Sequence, residues 1–293
     1  MNSCPPLPLR LLFLCVLWSA TPAWVLGQTP LSVQGNYPGT YGFDIAAQVN
    51  QAGSDSASAD FQANYLPVFN QFINETLTEG AALSDISALR LEPVLLRLEE
   101  AYDVRVYFLA EGAGYHNTLG LTTISPDYQT QTASLIFPNA TTFNNNYLTG
   151  QTTQSLSKRT TRSPLLPGDF VDVGAIDAGT QLDFFLIANG ANGGTTIFSP
   201  RQQGNPDLQQ HVVSYAIPGS PYLFLGFEDL YGLGDRDYND IVFAVDIGVA
   251  NVEALLRTPE PGTVSVAIFL GGLLLLCERQ NRHRSNRSPV SAI

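Results

Sequence analysis

Between residues 87 and 247 the apolar residues come in short runs, and the gaps between them are filled with turn formers. The runs are Ser87 to Leu91, Leu95 to Leu98, Val104 to Ala110, Leu119 to Ile124, Thr132 to Phe137, Phe170 to Gly174, Leu182 to Asn189, Val212 to Ile217, Tyr222 to Phe227 and Ile241 to Ile247. Clusters such as Glu111-Gly112-Ala113-Gly114, Leu166-Pro167-Gly168-Asp169 and Ala191-Asn192-Gly193-Gly194 separate them. Runs this short build strands, and strands so punctuated pair with near neighbours. The expected fold is mainly β, an antiparallel β-sandwich of jelly-roll-like type, with a short N-terminal helical segment. No fixed-period repeat, heptad or βαβ alternation competes with it.

The two ends read differently. Arg10 precedes the apolar stretch Leu11 to Trp18, and small or modest residues follow up to Val25-Leu26-Gly27, the order of a signal peptide. Cleavage is expected before Gln28, with Ala23 as the alternative. At the other end Thr258-Pro259-Glu260-Pro261-Gly262 leads into an uncharged apolar stretch ending at Cys277, then a tail holding Arg279, Arg282, Arg284 and Arg287. Residues 263–277 make about 22 Å of helix, short of a comfortable membrane span, and the basic tail is expected to stay on the cytoplasmic side.

Pro-Glu-Pro, short apolar helix and arginine cluster, over residues 258 to 287, resemble the PEP-CTERM sorting signal. That resemblance implies an exosortase-type sorting enzyme as a partner, transient membrane contact through the C-terminal helix, cleavage near Pro259-Glu260-Pro261, and release to the cell surface or extracellular matrix. The expected division is a signal peptide (1–27), an N-terminal extension with a helix (28–86), the sandwich (87–250), a linker (251–262), a short transmembrane segment (263–277) and a cytoplasmic tail (278–293).

The mature stretch from Gln28 to Gly262 holds nine Lys and Arg against 25 Asp and Glu, a net charge of −16. Such a surface repels nucleic acid and anionic lipid. Cys4, Cys15 and Cys277 all fall outside it, so no disulfide can stiffen its loops. Within it, residues 28–59 read as an extended lead-in with little regular structure. From Asp60, taken as N-cap, residues Phe61, Tyr65, Val68, Phe69, Phe72 and Ile73 recur at near-helical spacing, with Pro67 as an interruption.

The segment with the most chemistry runs from Gly226 to Asp240 and leads into the apolar Ile241-Val242-Phe243. Five carboxylates, Glu228, Asp229, Asp235, Asp237 and Asp240, share it with Asn239. Packed beside a buried strand they repel one another unless a cation or many backbone donors compensate. Asp235, Asp237 and Asn239 have the alternate spacing with which calcium loops present oxygens. Glu228, Asp229 and Asp240 are candidates to complete the shell, and Glu111 is a remote one. An EF-hand is excluded, because Asp240 stands where that loop needs Gly and a strand pattern follows. The competing interpretation is an acidic hairpin turn held by its own backbone N–H groups and by Arg236. His116 and His211 read as turn residues, and no nucleophile motif, zinc-protease motif or phosphate loop is present.

Ala113-Gly114-Tyr115-His116-Asn117, Pro167-Gly168-Asp169, Ala178-Gly179-Thr180, Asn205-Pro206-Asp207 with His211, and Gly226 to Asp240 together resemble the domain-of-unknown-function 4114 family, over about residues 87 to 247. The resemblance implies a β-sandwich in an exported protein with an adhesive or matrix role. This chain departs from it at Leu233, where a glycine is expected. Three functions follow as expectations: a calcium-stabilised surface or matrix protein binding exopolysaccharide or surface proteins, a secreted carbohydrate-active enzyme using Glu111 with Glu228 or Asp229, or a soluble-ligand binding module.

Overall fold

The computed structural model describes Gln34 and residues 42–80, 90–143 and 159–257. The expected signal peptide, sorting motif, membrane segment and basic tail lie outside these residues. Among the described residues no helix is long and apolar enough to cross a membrane.

In chain order the elements are β1 (Asp44–Ile45), β2 (Val49–Asn50), α1 (Ser56–Asp60), a π-helical turn (Phe61–Tyr65), α2 (Leu66–Thr76), β3 (Arg90–Leu91), β4 (Tyr102–Ala110), β5 (Thr118–Ile124), β6 (Gln131–Phe137), β7 (Phe170–Ile176), β8 (Gln181–Ile187), β9 (Ile197–Phe198), β10 (Val212–Ala216), β11 (Tyr222–Phe227), β12 (Ile241–Asp246) and α3 (Val249–Arg257). A small sheet has the order β1-β6-β5-β8-β9 and a large one β2-β7-β4-β12-β11-β10-β3. Among the described residues every pairing is antiparallel except β1 with β6. The protein is a β-sandwich, as its punctuated strands require.

Alternation along the strands fills the space between the sheets. Val104, Val106 and Phe108 of β4 and Leu223, Leu225 and Phe227 of β11 face Leu119 and Leu121 of β5 and Phe184 of β8 in one core. Across it Phe184 and Phe243 lie 5.0 Å apart and Phe108 meets Phe137 edge-on at 6.0 Å. The opposite face of the large sheet is apolar too. Tyr107, Tyr215, Tyr222 and Phe224 pack there against Phe61, Leu66, Phe69 and Ile73 of the N-terminal helix, and Phe61 stacks on Tyr107 at 3.9 Å. Aromatic rings of this size bury 150–250 Å² each. The helix of the expected N-terminal extension therefore forms a third layer on the sandwich.

Several expectations are corrected. The helix starts five residues early: Asp55, not Asp60, is the N-cap, accepting from Ser58 N–H at 2.7 Å, and Asp60 accepts from Asn64 instead. Pro67 does not break the helix, because the π-turn before it shifts the hydrogen-bond register at the place where the missing N–H falls. The lead-in carries β1 and β2, one on each sheet. Pro93 begins a 3-10 turn at Pro93–Leu95 in place of the expected strand start, and Leu96 and Leu98 instead form irregular hydrogen bonds with Leu182 and Thr180.

The expected linker is helical as far as Arg257, because Val252 and Leu255 of α3 bury against the inter-sheet core. Asn251 ties this helix down. Its Oδ1 accepts from the N–H groups of Glu99 and Glu100, both at 2.8 Å, and its Nδ2 donates to the carbonyls of Glu100 and Ile247. Asn251→Ala removes four hydrogen bonds made by a buried side chain and should cost about 2 kcal/mol in urea denaturation. A change under about 0.5 kcal/mol, the range of an ordinary surface substitution, would show that the tie is dispensable.

Candidate metal centre

Phe227 and Ile241 are paired in β11 and β12, so the Glu228–Asp240 segment is the loop that joins those strands. Its backbone is unusual. Gly232, Leu233, Gly234, Arg236 and Tyr238 all have positive φ, and for Leu233 (71°), Arg236 (63°) and Tyr238 (58°) that is a strained conformation. At Leu233, where the resemblance calls for glycine, the leucine adopts the left-handed turn that glycine would supply and buries its side chain.

Local hydrogen bonds hold this coil in place. Leu233 N–H donates to Leu230 O and Arg236 N–H to Leu233 O, both at 2.9 Å. Tyr238 is fully buried; its N–H donates to Glu228 Oε1 at 2.9 Å and its hydroxyl to Gln210 O at 2.7 Å. Because the loop folds back over β11, a Cβ on Gly226 would stand 2.3 Å from Tyr238 O, so only glycine fits at that point of the strand.

Left-handed residues at 234, 236 and 238 alternate with Asp235 and Asp237. The result is that one carboxylate oxygen each from Glu228, Asp235 and Asp237 lies within 4.8 Å of the others. Glu228 is buried, Asp237 half-buried and Asp235 exposed, so the cluster is anchored at its base and open to solvent at its rim. Burial, with the charges of Asp237 and Asp235 adding to it against the Tyr238 N–H, pushes the Glu228 carboxyl up to about 7. Burial likewise raises Asp237 to about 6.

Asp229, Asp240 and Glu111 are not in that three-carboxylate group, and Asn239 adjoins it. Asn239 turns its amide onto the Asp237 carboxylate and so acts on a neighbouring side chain as a donor. Asp229 accepts from Asn117 Nδ2 at 2.6 Å, and its N–H donates to Asp240 Oδ2 at 2.8 Å. Burial beside Asp229 and Glu228 drives the Asp240 carboxyl well above the carboxylate range, and burial raises Asp229 as well. Glu111 accepts from Thr142 N–H at 3.2 Å and is pushed up to about 7, chiefly by burial. It lines a pocket of about 320 Å³ with Tyr115, His116, Thr141, Phe143 and Arg162, a lining that includes neither Glu228 nor Asp229.

Two residues that read as turn formers support the loop from behind. His211 is fully buried and stacks on Phe198 at 3.7 Å. Its Nε2 meets both Asp207 carboxylate oxygens, at 2.9 and 3.0 Å, and its Nδ1 meets Glu228 O at 3.0 Å. Asp207 also accepts from Gly232 N–H at 2.7 Å. The pair thus grips the loop at Glu228 and at Gly232. The signal for it in the sequence was only an Asp and a His four residues apart.

Residues 176–248 match the family model described as Domain of unknown function (DUF4114). The DUF4114 match runs from the end of β7 through β12, and it takes in the whole acidic loop and the Asp207–His211 grip. It leaves out β4, the Glu111–Asn117 turn and the N-terminal helix, and so is narrower than the span over which the resemblance was drawn. No curated protein and no solved structure matches the chain.

Proposed function

We propose that this protein is a non-catalytic, exported surface or matrix module whose DUF4114 loop is stiffened by calcium held between Glu228, Asp235 and Asp237. The observation that carries this is the convergence of three carboxylates within 4.8 Å on a strained, hydrogen-bonded loop. Three like charges at that separation repel, and an oxygen-only donor set with an open rim suits a hard divalent cation that fills its remaining positions with water. The addressing signals read at the two ends support export, with an exosortase-type enzyme as the sorting partner and exopolysaccharide or surface proteins as ligands. The paired-carboxylate enzyme has less support: the Asp229 charge does reach the Glu111 carboxyl, but neither Asp229 nor Glu228 lines the pocket there.

Thermal unfolding tests the metal. For a site of about 10⁻⁴ M affinity, calcium at about 1 mM adds roughly 1.4 kcal/mol, a rise of a few degrees in Tm. Asp237→Ala should remain folded in chelator and lose most of that rise. Equal responses to calcium and magnesium, or an undiminished response in Asp237→Ala, would reduce the cluster to an acidic turn screened by any salt.

A further inference from the structure

At the opposite end of β5 from Asn117, the β5–β6 hairpin projects Tyr128 into solvent, 60% exposed. Exposure alone means little, but this ring is held. Tyr128 has φ +60°, a strained conformation for an aromatic residue. The turn around it is closely bonded: Ser125 N–H donates to Thr130 O and Tyr128 N–H to Ser125 O, both at 2.9 Å, while Asp127 Oδ1 accepts from Ser125 Oγ and Gln129 N–H. Pro126 packs on Gly179 of the β7–β8 turn so closely that a Cβ there would lie 2.9 Å from the proline ring. Arg97 sets the orientation of the ring, with its guanidinium 5.0 Å from the ring centroid and its Nη2 donating to the hydroxyl at 2.5 Å.

Beside this ring lies a groove of about 510 Å³. Its apolar lining comes from Leu95 and Leu98 and from Ala254 and Leu255 of α3. Its polar groups are Arg97, Glu99 and Gln181, one cation, one anion and one amide, so its rim carries no net charge. The volume is that of a small-molecule site, which joins an apolar lining to a few placed polar groups.

We infer that this groove binds a neutral saccharide, with one pyranose ring lying on the Tyr128 face that Arg97 leaves open. A pyranose ring has apolar C–H faces and a rim of hydroxyls, each both donor and acceptor. That pattern suits a pre-oriented aromatic ring flanked by a guanidinium and a carboxylate; the Gln181 amide nitrogen is already committed to Val94 O and Asp183 Oδ1. Arg97 and Glu99 offset each other, so a charged glycan meets no net counter-charge here, and the ring's orientation is fixed before the ligand arrives, which lowers the entropy lost on binding. The inference rests on the reading of the sandwich as a binding module and names its ligand class; the groove shares no residue with the calcium loop.

The test is calorimetric titration of the purified full chain with cellohexaose and mannohexaose as neutral probes and hexagalacturonate as the anionic one, in calcium and in chelator. At least one neutral probe should bind with a Kd below about 1 mM. Tyr128→Ala should weaken it about tenfold or more, as loss of an aromatic anchor does, with an unchanged melting curve. Tyr128→Phe should keep most of the affinity, and Tyr231→Ala, an exposed tyrosine in the acidic loop, all of it. No binding of either neutral probe, tighter binding of hexagalacturonate, or equal losses in Tyr128→Ala and Tyr231→Ala would each overturn the proposal. Sugar binding without a calcium response sinks only the metal centre. A calcium response without sugar binding sinks only the groove.

Discussion

In chelator the folded protein should lose stability as the pH rises from about 5 to about 8, and calcium should restore most of the loss. The folded Glu228 carboxyl titrates near 7 against an ordinary 4.5, so between those values the native chain holds a proton that the unfolded chain has released. Stability from such a group is fully present below 4.5 and disappears as the pH passes through 7. Glu111, at about 7, and Asp237, at about 6, act in the same direction. A single buried carboxyl moved this far accounts for about 3 kcal/mol. Calcium binds the ionised form, so its stabilising effect should grow through the same window. Glu228→Gln separates this from general repulsion in an acidic chain, because the amide stays neutral and still offers an oxygen to Tyr238 N–H. In chelator at pH 8 that variant should be more stable than the parent, and calcium should barely move it. A parent curve that is flat in chelator, or a variant with the parent's slope, would remove Glu228 as the source.

Gly226→Ala, in β11 where the loop folds back over it, should be the most damaging single added methyl at the site. The added carbon would stand 2.3 Å from Tyr238 O and 3.2 Å from Leu77 Cδ1. Tyr238 has little room to retreat, since its N–H, its hydroxyl and its whole ring are committed. Forcing the loop off the strand should cost about 3 kcal/mol, the upper end for overpacking, and should displace the N–H that holds Glu228. Most of the calcium response should therefore go as well. Gly232→Ala is the control: φ is +81° there, with nothing within 4 Å of an added carbon. It should cost about 1 kcal/mol from backbone strain alone and keep the calcium response. A Gly226→Ala chain with the parent's melting point and full calcium shift would show that the loop is not seated as described.

The long strands were legible in the sequence because each is long enough to show its apolar run; β11 was expected at Tyr222 to Phe227 and lies there. The two-residue strands β1, β2 and β9 were not, since two residues carry no periodicity. Helix α3 left a trace in Val249, Val252 and Leu255, but its position beyond the last strand and before Pro259 made a linker the simpler interpretation. At the acidic loop, spacing brought out Asp235 and Asp237. What spacing could not show was which other oxygen joins them. That depends on the Phe227–Ile241 register, which brings Glu228 to the loop's closing end, and on left-handed turns at Leu233, Arg236 and Tyr238, residues that give no glycine signal. The Asp207–His211 grip was hidden for a related reason: Asn205-Pro206-Asp207 is a turn, but its carboxylate serves a loop distant in sequence.

The order of strands in the large sheet constrains how the molecule can come together. Strand β4 lies between β7 and β12, with Phe108 opposite Phe243, so a strand made early waits for one made almost last. Pairings so remote in sequence form slowly, because the intervening chain must be closed into a loop first. Until β12 arrives, β4 has a bare edge and the aromatic bed for the N-terminal helix is incomplete. The same order means that residues 176–248 produced alone would leave β12 without its β4 neighbour and Tyr222 and Phe224 without their helical cover. The smallest piece expected to fold is therefore not the family-matched stretch but the whole span from β1 to α3.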